Sequence, residues 1–232
     1  MVKILDCTLR DGGHQNNWIF DDTFVNNLLQ KSKSENFDYF EIGYRNRIDK
    51  EGKGNFFYCT KNVIEKYTFN KNNLKIGVMA DYKRIDLDDF KSAKEDNIDF
   101  IRIACHPDKI KESIICCEKL KNNGYNIFLQ LMEIPNLENS HYKILEEWNS
   151  KEILISLYIA DTYSRAKPQD IKNYFDNLYS IGFERVSFHS HNGKGLALEN
   201  TITAIECGAY SIDVSQNGLG GNLNYNDFKN CL

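Results

Sequence analysis

Two histidines, His189 and His191, stand two apart at the end of an apolar, β-branched run, where alternation puts both imidazoles on one side of a strand. Such a pair can form half of a metal site or simply be hydrogen-bonded, and the spacing alone leaves both open. A carboxylate after another apolar run favours the metal: Asp11, in Thr8-Leu9-Arg10-Asp11-Gly12-Gly13-His14. Two histidines and one carboxylate leave coordination positions free. They suit Mn²⁺, Mg²⁺, Co²⁺, Zn²⁺ or Fe²⁺ without selecting among them.

For Asp11 to meet the histidines, the first and seventh strands must lie near one another. Eight apolar runs read as strands: Val2–Leu5, Tyr39–Ile42, Leu74–Met79, Phe100–Ala104, Asn126–Leu131, Ile153–Ile159, Val186–Phe188 and Ser211–Val214. Amphipathic stretches at helical spacing separate them, such as Phe24, Leu28 and Leu29, or Ile171, Tyr174, Phe175 and Leu178. Asp21 and Asp22, Asp86 and Pro168 read as helix starts, and Gly124, Gly182 and Gly208 as helix ends. Eight units in 232 residues give about 29 residues each, the size of a strand, a helix and two short loops. The expectation is an α/β chain forming a (β/α)₈ TIM barrel over residues 1–232, one domain, with a shortened last helix because only Asn224–Leu232 follows the eighth strand. A doubly wound open sheet would want Gly-x-Gly-x-x-Gly after the first strand, which Asp6–Gly13 lacks. In a barrel, polar residues at strand ends build the site, and Asp11, Glu41, Arg102, His106, Gln130, Asp161, His189 and His191 fall near such ends.

Composition narrows the partners. Apolar residues make up 41% and charged residues 27%, ordinary for a globular chain, and no apolar run approaches the ~20 residues of a membrane helix. A net charge of −4 without a basic block gives nucleic acid no footprint. Seven cysteines without a Cys-x-x-Cys pair, behind an N-terminus unlike an export signal, read as reduced thiols in a cytoplasmic chain. A small-molecule substrate is expected, with self-association left open.

Three segments carry a resemblance: Asp6-Cys7-Thr8-Leu9-Arg10-Asp11-Gly12, His189-Ser190-His191-Asn192 and Gly218-Leu219-Gly220-Gly221-Asn222. Together they resemble the DRE-TIM metallolyases, which include hydroxymethylglutaryl-CoA lyase, isopropylmalate and homocitrate synthases, and 4-hydroxy-2-oxovalerate aldolase. Arg10-Asp11-Gly12-Gly13-His14 and Ala104-Cys105-His106 are most similar to the aldolase branch. The resemblance implies Asp11, His189 and His191 as metal ligands, Asn222 as a further ligand, Arg10 as the enolate-stabilising arginine and His14 as the catalytic base. Mn²⁺ is the first expectation for the metal, with Mg²⁺, Co²⁺ or Zn²⁺ as alternatives. Gly193 departs from the acidic or amide residue that relatives often place there, and no further helical domain follows the barrel within the 232 residues.

The implied activity is a divalent-metal-dependent aldolase or lyase making or breaking a carbon–carbon bond next to a 2-oxo acid, with an aldehyde as second partner. A Claisen-type synthase joining an acyl-CoA to a 2-oxo acid would use the same metal and arginine, but His14 favours the aldolase. A non-catalytic metal-binding module and an iron oxygenase on the same triad are the readings from other classes. Weaker expectations attach to Glu41 and Arg102, as site supports or a buried ion pair, and to Asp161, as a substrate contact or an Asx turn. Cys105 reads as a buried inert thiol more readily than as an acid, and His141 as a surface residue beside a loop.

Overall fold

A computed structural model of the protein describes residues 1–47, 51–69 and 72–231. Eight parallel strands close into a barrel in chain order: β1 (Lys3–Asp6), β2 (Tyr39–Tyr44), β3 (Lys75–Asp81), β4 (Phe100–Cys105), β5 (Ile127–Leu131), β6 (Leu154–Ala160), β7 (Val186–His189) and β8 (Ser211–Val214). The closing pair is β1 with β8, registered from Lys3 on Ser211 to Asp6 on Val214. All eight strands fall where the apolar runs placed them, with ends moved by one or two residues. Among the described residues no helix is long and apolar enough to cross a membrane.

Alternation along the strands sorts side chains into two populations. Outward positions such as Phe40, Ile42, Val78, Ile101, Ile103, Leu129, Ile159, Phe188 and Ile212 join the main buried cluster with the helices. Inward positions Leu5, Cys7, Tyr39, Phe100, Phe128 and Tyr158 form a separate cluster that floors the barrel. Its rings meet edge to face, Tyr39 with Phe128 and Phe100 with Phe128 both at 5.3 Å between centroids. The next inward positions are polar and buried: Glu41, Arg102, Gln130 and Asp213. Arg102 lies over the Tyr158 ring at 4.6 Å, so the charged layer rests on the aromatic floor.

The helices that matter to the site are α1 (Thr8–Asn16), directly after β1, and α2 (Asp22–Ser34), capped by Asp21 accepting from the Phe24 amide at 2.8 Å. Further round come α3 (Asn55–Tyr58), α4 (Lys61–Thr68), α5 (Ile110–Asn122), α6 (Asn139–Glu147), α7 (Pro168–Ser180), α8 (Ala197–Glu206) and α9 (Tyr225–Lys229). The glycines expected at helix ends, Gly124, Gly182 and Gly208, all have left-handed φ, between 87° and 92°.

The Thr8–His14 segment that follows the first strand falls in the first helix. One local expectation is corrected. Strand and helix do not alternate throughout: among the described residues, β3 and β4 are joined by a short 3₁₀ turn, Leu87–Asp89, started by Asp86 accepting from the Asp88 amide at 3.1 Å. Acidic residues clustered there satisfy their own backbone and compete with a longer helix. His141 is the part-exposed residue beside a loop that was expected: it lies in the first turn of α6, and its Nδ1 accepts from the Glu138 amide at 2.9 Å. The last helix is short, five residues, and Leu232 lies outside the described residues.

Candidate active site

The polar layer and the strand ends above it converge on the top of the barrel. Because α1 starts immediately after β1, Arg10 and Asp11 sit in its first turn, and His14 follows one turn later on the same side. Trp18 fixes this helix by donating from Nε1 to the Arg10 carbonyl at 2.8 Å. The indole packs so close that a Cβ on Gly13 would lie 2.0 Å from it, which is why glycine stands there. On the other side, Gly220, with φ +86°, presses the loop after β8 against Asp11, where a Cβ would come within 2.6 Å of the Asp11 Cβ.

The structure brings Asp11, His189 and His191 together. His189 Nε2 lies 3.2 Å from Asp11 Oδ2 and 3.1 Å from His191 Nε2, and all three ligand atoms fall within 4.8 Å of one another. Cis ligands at ~2.1 Å from a six-coordinate cation are about 3 Å apart, so the two edges that meet at His189 have the length that a small divalent ion requires. Two imidazole nitrogens facing at 3.1 Å also repel unless a proton or a cation lies between them. The residues present therefore fit a metal.

Asn222 reaches the same point through the loop after β8. Its Nδ2 donates to Asp11 Oδ2, its backbone bridges to His191, and its buried Oδ1 has no hydrogen-bond partner among the described residues. Arg10 donates from Nε to Glu41 Oε2 at 2.6 Å and from Nη1 to Asp11 Oδ1, which leaves its buried Nη2 without a hydrogen-bond partner among the described residues. These unsatisfied groups, an acceptor and a donor beside one triangle, are costly in a folded interior unless a bound species completes them.

Beneath the triangle lies a buried charge network. Glu41 takes Arg10 on one side and Arg102 on the other, and Arg102 Nη1 continues to Asp213 Oδ2 at 2.6 Å. Asp213 in turn accepts from His189 Nδ1 at 2.7 Å. Glu41 and Arg102 thus form the buried ion pair and also support the site. They lie in mid-strand positions, not at strand ends as expected. Asp213 was not singled out, although an acid at an inward position of Ser211-Ile212-Asp213-Val214 is a readable signal.

The field of this network sets the protonation states. Burial raises the Asp11 pKa, but Arg10 and His189 outweigh it and hold the carboxyl well below its ordinary range. Burial and the adjacent His189 bring His191 down to about 4, so its imidazole is neutral at pH 7. For His14, partial burial lowers the pKa below 6.5, Asp11 opposes, and Arg10, Lys53 and Arg84 add to the lowering. Burial is the larger cause, the cations add to it, and together they favour the neutral imidazole.

A cavity of about 350 Å³ opens here, with Arg10, Asp11, His14, Tyr44, Arg84, His106, Thr162, His189 and His191 in its wall. Asn222 is not part of that wall. Asp161 orders the loop after β6 without making an Asx turn, which would bond two residues on: it accepts from the Arg165 amide, four on, at 2.8 Å and from the Ala166 amide, five on, at 3.1 Å. Cys105 donates its thiol to the His106 carbonyl at 3.3 Å and burial raises its pKa to about 12, the inert thiol expected. Gly193 has a local reason: its amide donates to Ser164 Oγ at 2.9 Å, and a Cβ would meet that same oxygen.

Comparison with known proteins agrees with this architecture. The family model described as HMGL-like matches residues 138–226. The solved N-terminal domain of a candidate aldolase from Bacteroides vulgatus superimposes with a TM-score of 0.90 at 30% identity, covering 100% of this chain and 79% of that one. The chain belongs to the DRE-TIM metallolyases. Within this superfamily, a 4-hydroxy-2-oxovalerate aldolase from Geobacillus genomosp. 3 is 25% identical over 226 residues, covering 94% of this chain and 66% of the relative. An oxaloacetate decarboxylase from Mycobacterium tuberculosis is 23% identical over 221 residues, covering 94% and 65%. The chain thus spans just under two thirds of the length of these metallolyase relatives.

Proposed function

We propose that residues 1–232 act as one catalytic barrel, a divalent-metal-dependent lyase that cleaves or forms a carbon–carbon bond next to a 2-oxo acid, with an aldehyde as the second partner. The observation that carries this reading is the unpartnered Arg10 Nη2 beside the Asp11, His189 and His191 triangle. Asp11, His189 and His191 would hold the cation, Mn²⁺ first, with Asn222 Oδ1 as a further ligand. When bound, the cation supplies a Lewis acid for the oxo and carboxylate oxygens of the substrate.

Arg10 supplies the fixed donors. Its Nε and Nη1 are committed to Glu41 and Asp11, so the guanidinium cannot swing, and Nη2 is the group left for the oxygen on which charge develops. His14, lowered in pKa and at the cavity wall, takes the proton from the substrate hydroxyl as the bond breaks. Arg10 and Asp11 are locked by the buried network, so little reorganisation is required during the reaction.

Decarboxylation of a 2-oxo diacid is the second reading, supported by the oxaloacetate decarboxylase relative. It would use the same cation site and Arg10 but abstract no hydroxyl proton, so His14 favours the aldol reaction. The test is a screen of Mn²⁺-loaded protein against 4-hydroxy-2-oxo acids and oxaloacetate, following pyruvate and aldehyde release. Cleavage of a 4-hydroxy-2-oxo acid that stops on chelation supports the aldolase. Release of free thiol from acetyl-CoA with a 2-oxo acid, or metal-independent turnover, would overturn it.

A further inference from the structure

The loops after β4 and β5 carry an acid–base pair that the proposed reaction leaves unused. His106 lies in the wall of the same cavity as His14, Asp11 and His189, three strands round the barrel from β1 and three from β7. Its Nδ1 is 3.1 Å from Glu133 Oε1. Glu133 is held from three sides: its amide donates to Thr162 Oγ1 at 2.9 Å, Asn136 Nδ2 donates to its Oε2 at 2.9 Å, and the Tyr163 hydroxyl donates to Oε1 at 3.3 Å. Its backbone is left-handed, φ 53° and ψ 45°, a strained conformation for glutamate. That conformation and those contacts fix the carboxylate against His106. With Nδ1–H engaged by Glu133, Nε2 is the nitrogen left to exchange protons with the cavity.

The geometry points to His106 as the acid that delivers a proton to the enolate carbon, with Glu133 as its positioning residue, an inference that rests on the lyase reading above. When the bond between the hydroxyl-bearing carbon and its neighbour breaks, the electron pair stays as the enolate of the 2-oxo acid. The hydroxyl proton passes to His14 and the aldehyde departs. The enolate carbon then takes a proton from His106 Nε2, giving the methyl or methylene group of the product. His106 regains a proton from solvent and His14 releases one, so the cycle balances. A donor on a separate wall lets the carbon be protonated without using the histidine that has just received the hydroxyl proton.

The two histidines therefore have opposite signatures with Mn²⁺-loaded protein. His106→Gln should slow exchange of pyruvate methyl protons with deuterated solvent by roughly 10²–10⁴-fold. It should keep wild-type Mn²⁺ affinity and release aldehyde from 4-hydroxy-2-oxovalerate at a near wild-type rate in the first turnover. His14→Ala should do the reverse, keeping exchange and losing cleavage. Glu133→Gln should slow exchange and displace its pH profile, with Glu133→Asp restoring part of the rate, a pattern that a loop staple would not produce. If the wild type is active and both His106→Gln and Glu133→Gln exchange pyruvate protons normally, the assignment of His106 is wrong and the lyase reading stands. If the wild type neither exchanges nor cleaves, the lyase reading fails and this inference falls with it.

Discussion

His189 Nδ1 sits 2.7 Å from Asp213 Oδ2, and the same carboxylate oxygen accepts from Arg102 Nη1 at 2.6 Å. One inward acid on β8 therefore fixes the His189 tautomer, leaving Nε2 for the site, and ties it to the charge layer below. Burial raises the Asp213 pKa, but Arg102 and His189 more than offset this, so the carboxylate stays ionised.

Replacing Asp213 with Asn should weaken Mn²⁺ binding by roughly 10–100-fold, the usual cost of losing an outer partner of a ligating histidine. Calorimetric titration would read it. Unchanged affinity would mean that Asp213 serves only the Arg102 ion pair.

His191→Ala should lose bound metal and activity together, whereas Arg10→Lys should keep the metal and lose about 10²–10³-fold in turnover. Lysine preserves the charge, but its three N–H donors radiate from one nitrogen and cannot span Glu41, Asp11 and a substrate oxygen as the separate guanidinium nitrogens do. Metal content and steady-state rates of each variant separate the two roles, and a fully active Arg10→Lys would contradict the role given to Arg10.

His14→Ala should slow cleavage of a 4-hydroxy-2-oxo acid by roughly 10²–10⁴-fold at unchanged metal occupancy. Its effect on oxaloacetate decarboxylation should be small, because that reaction has no hydroxyl proton to remove. Equal losses on both substrates would make His14 a binding or loop residue.

Asp6 gives a pH prediction away from the site. Burial raises its pKa above 3.8 despite hydrogen bonds from Thr8 and Ser32. The folded state then holds the proton more tightly than the unfolded chain, so stability falls as pH rises from 3.8 through the raised value. The urea midpoint advantage of wild type over Asp6→Asn should shrink between pH 4 and pH 7. An advantage that grows over that range would reverse the assigned shift.

The barrel and most of the triangle were legible in the order of residues alone. Short apolar, β-branched runs, helix-start acids and the three end glycines are local signals, and His189 with His191 needed only strand alternation to share a side. It was also local chemistry that set Asp161 in its loop. Contacts between positions far apart in the chain became visible only in the folded barrel. Glu41 meets both Arg10 and Arg102, and Asp213 meets Arg102 and His189, across 24 to 111 residues of chain. The left-handed Glu133 against His106 and the packing of Gly220 on Asp11 have no periodicity to announce them. Barrel closure places these residues side by side, and their protonation follows from a buried field that no stretch of sequence carries alone.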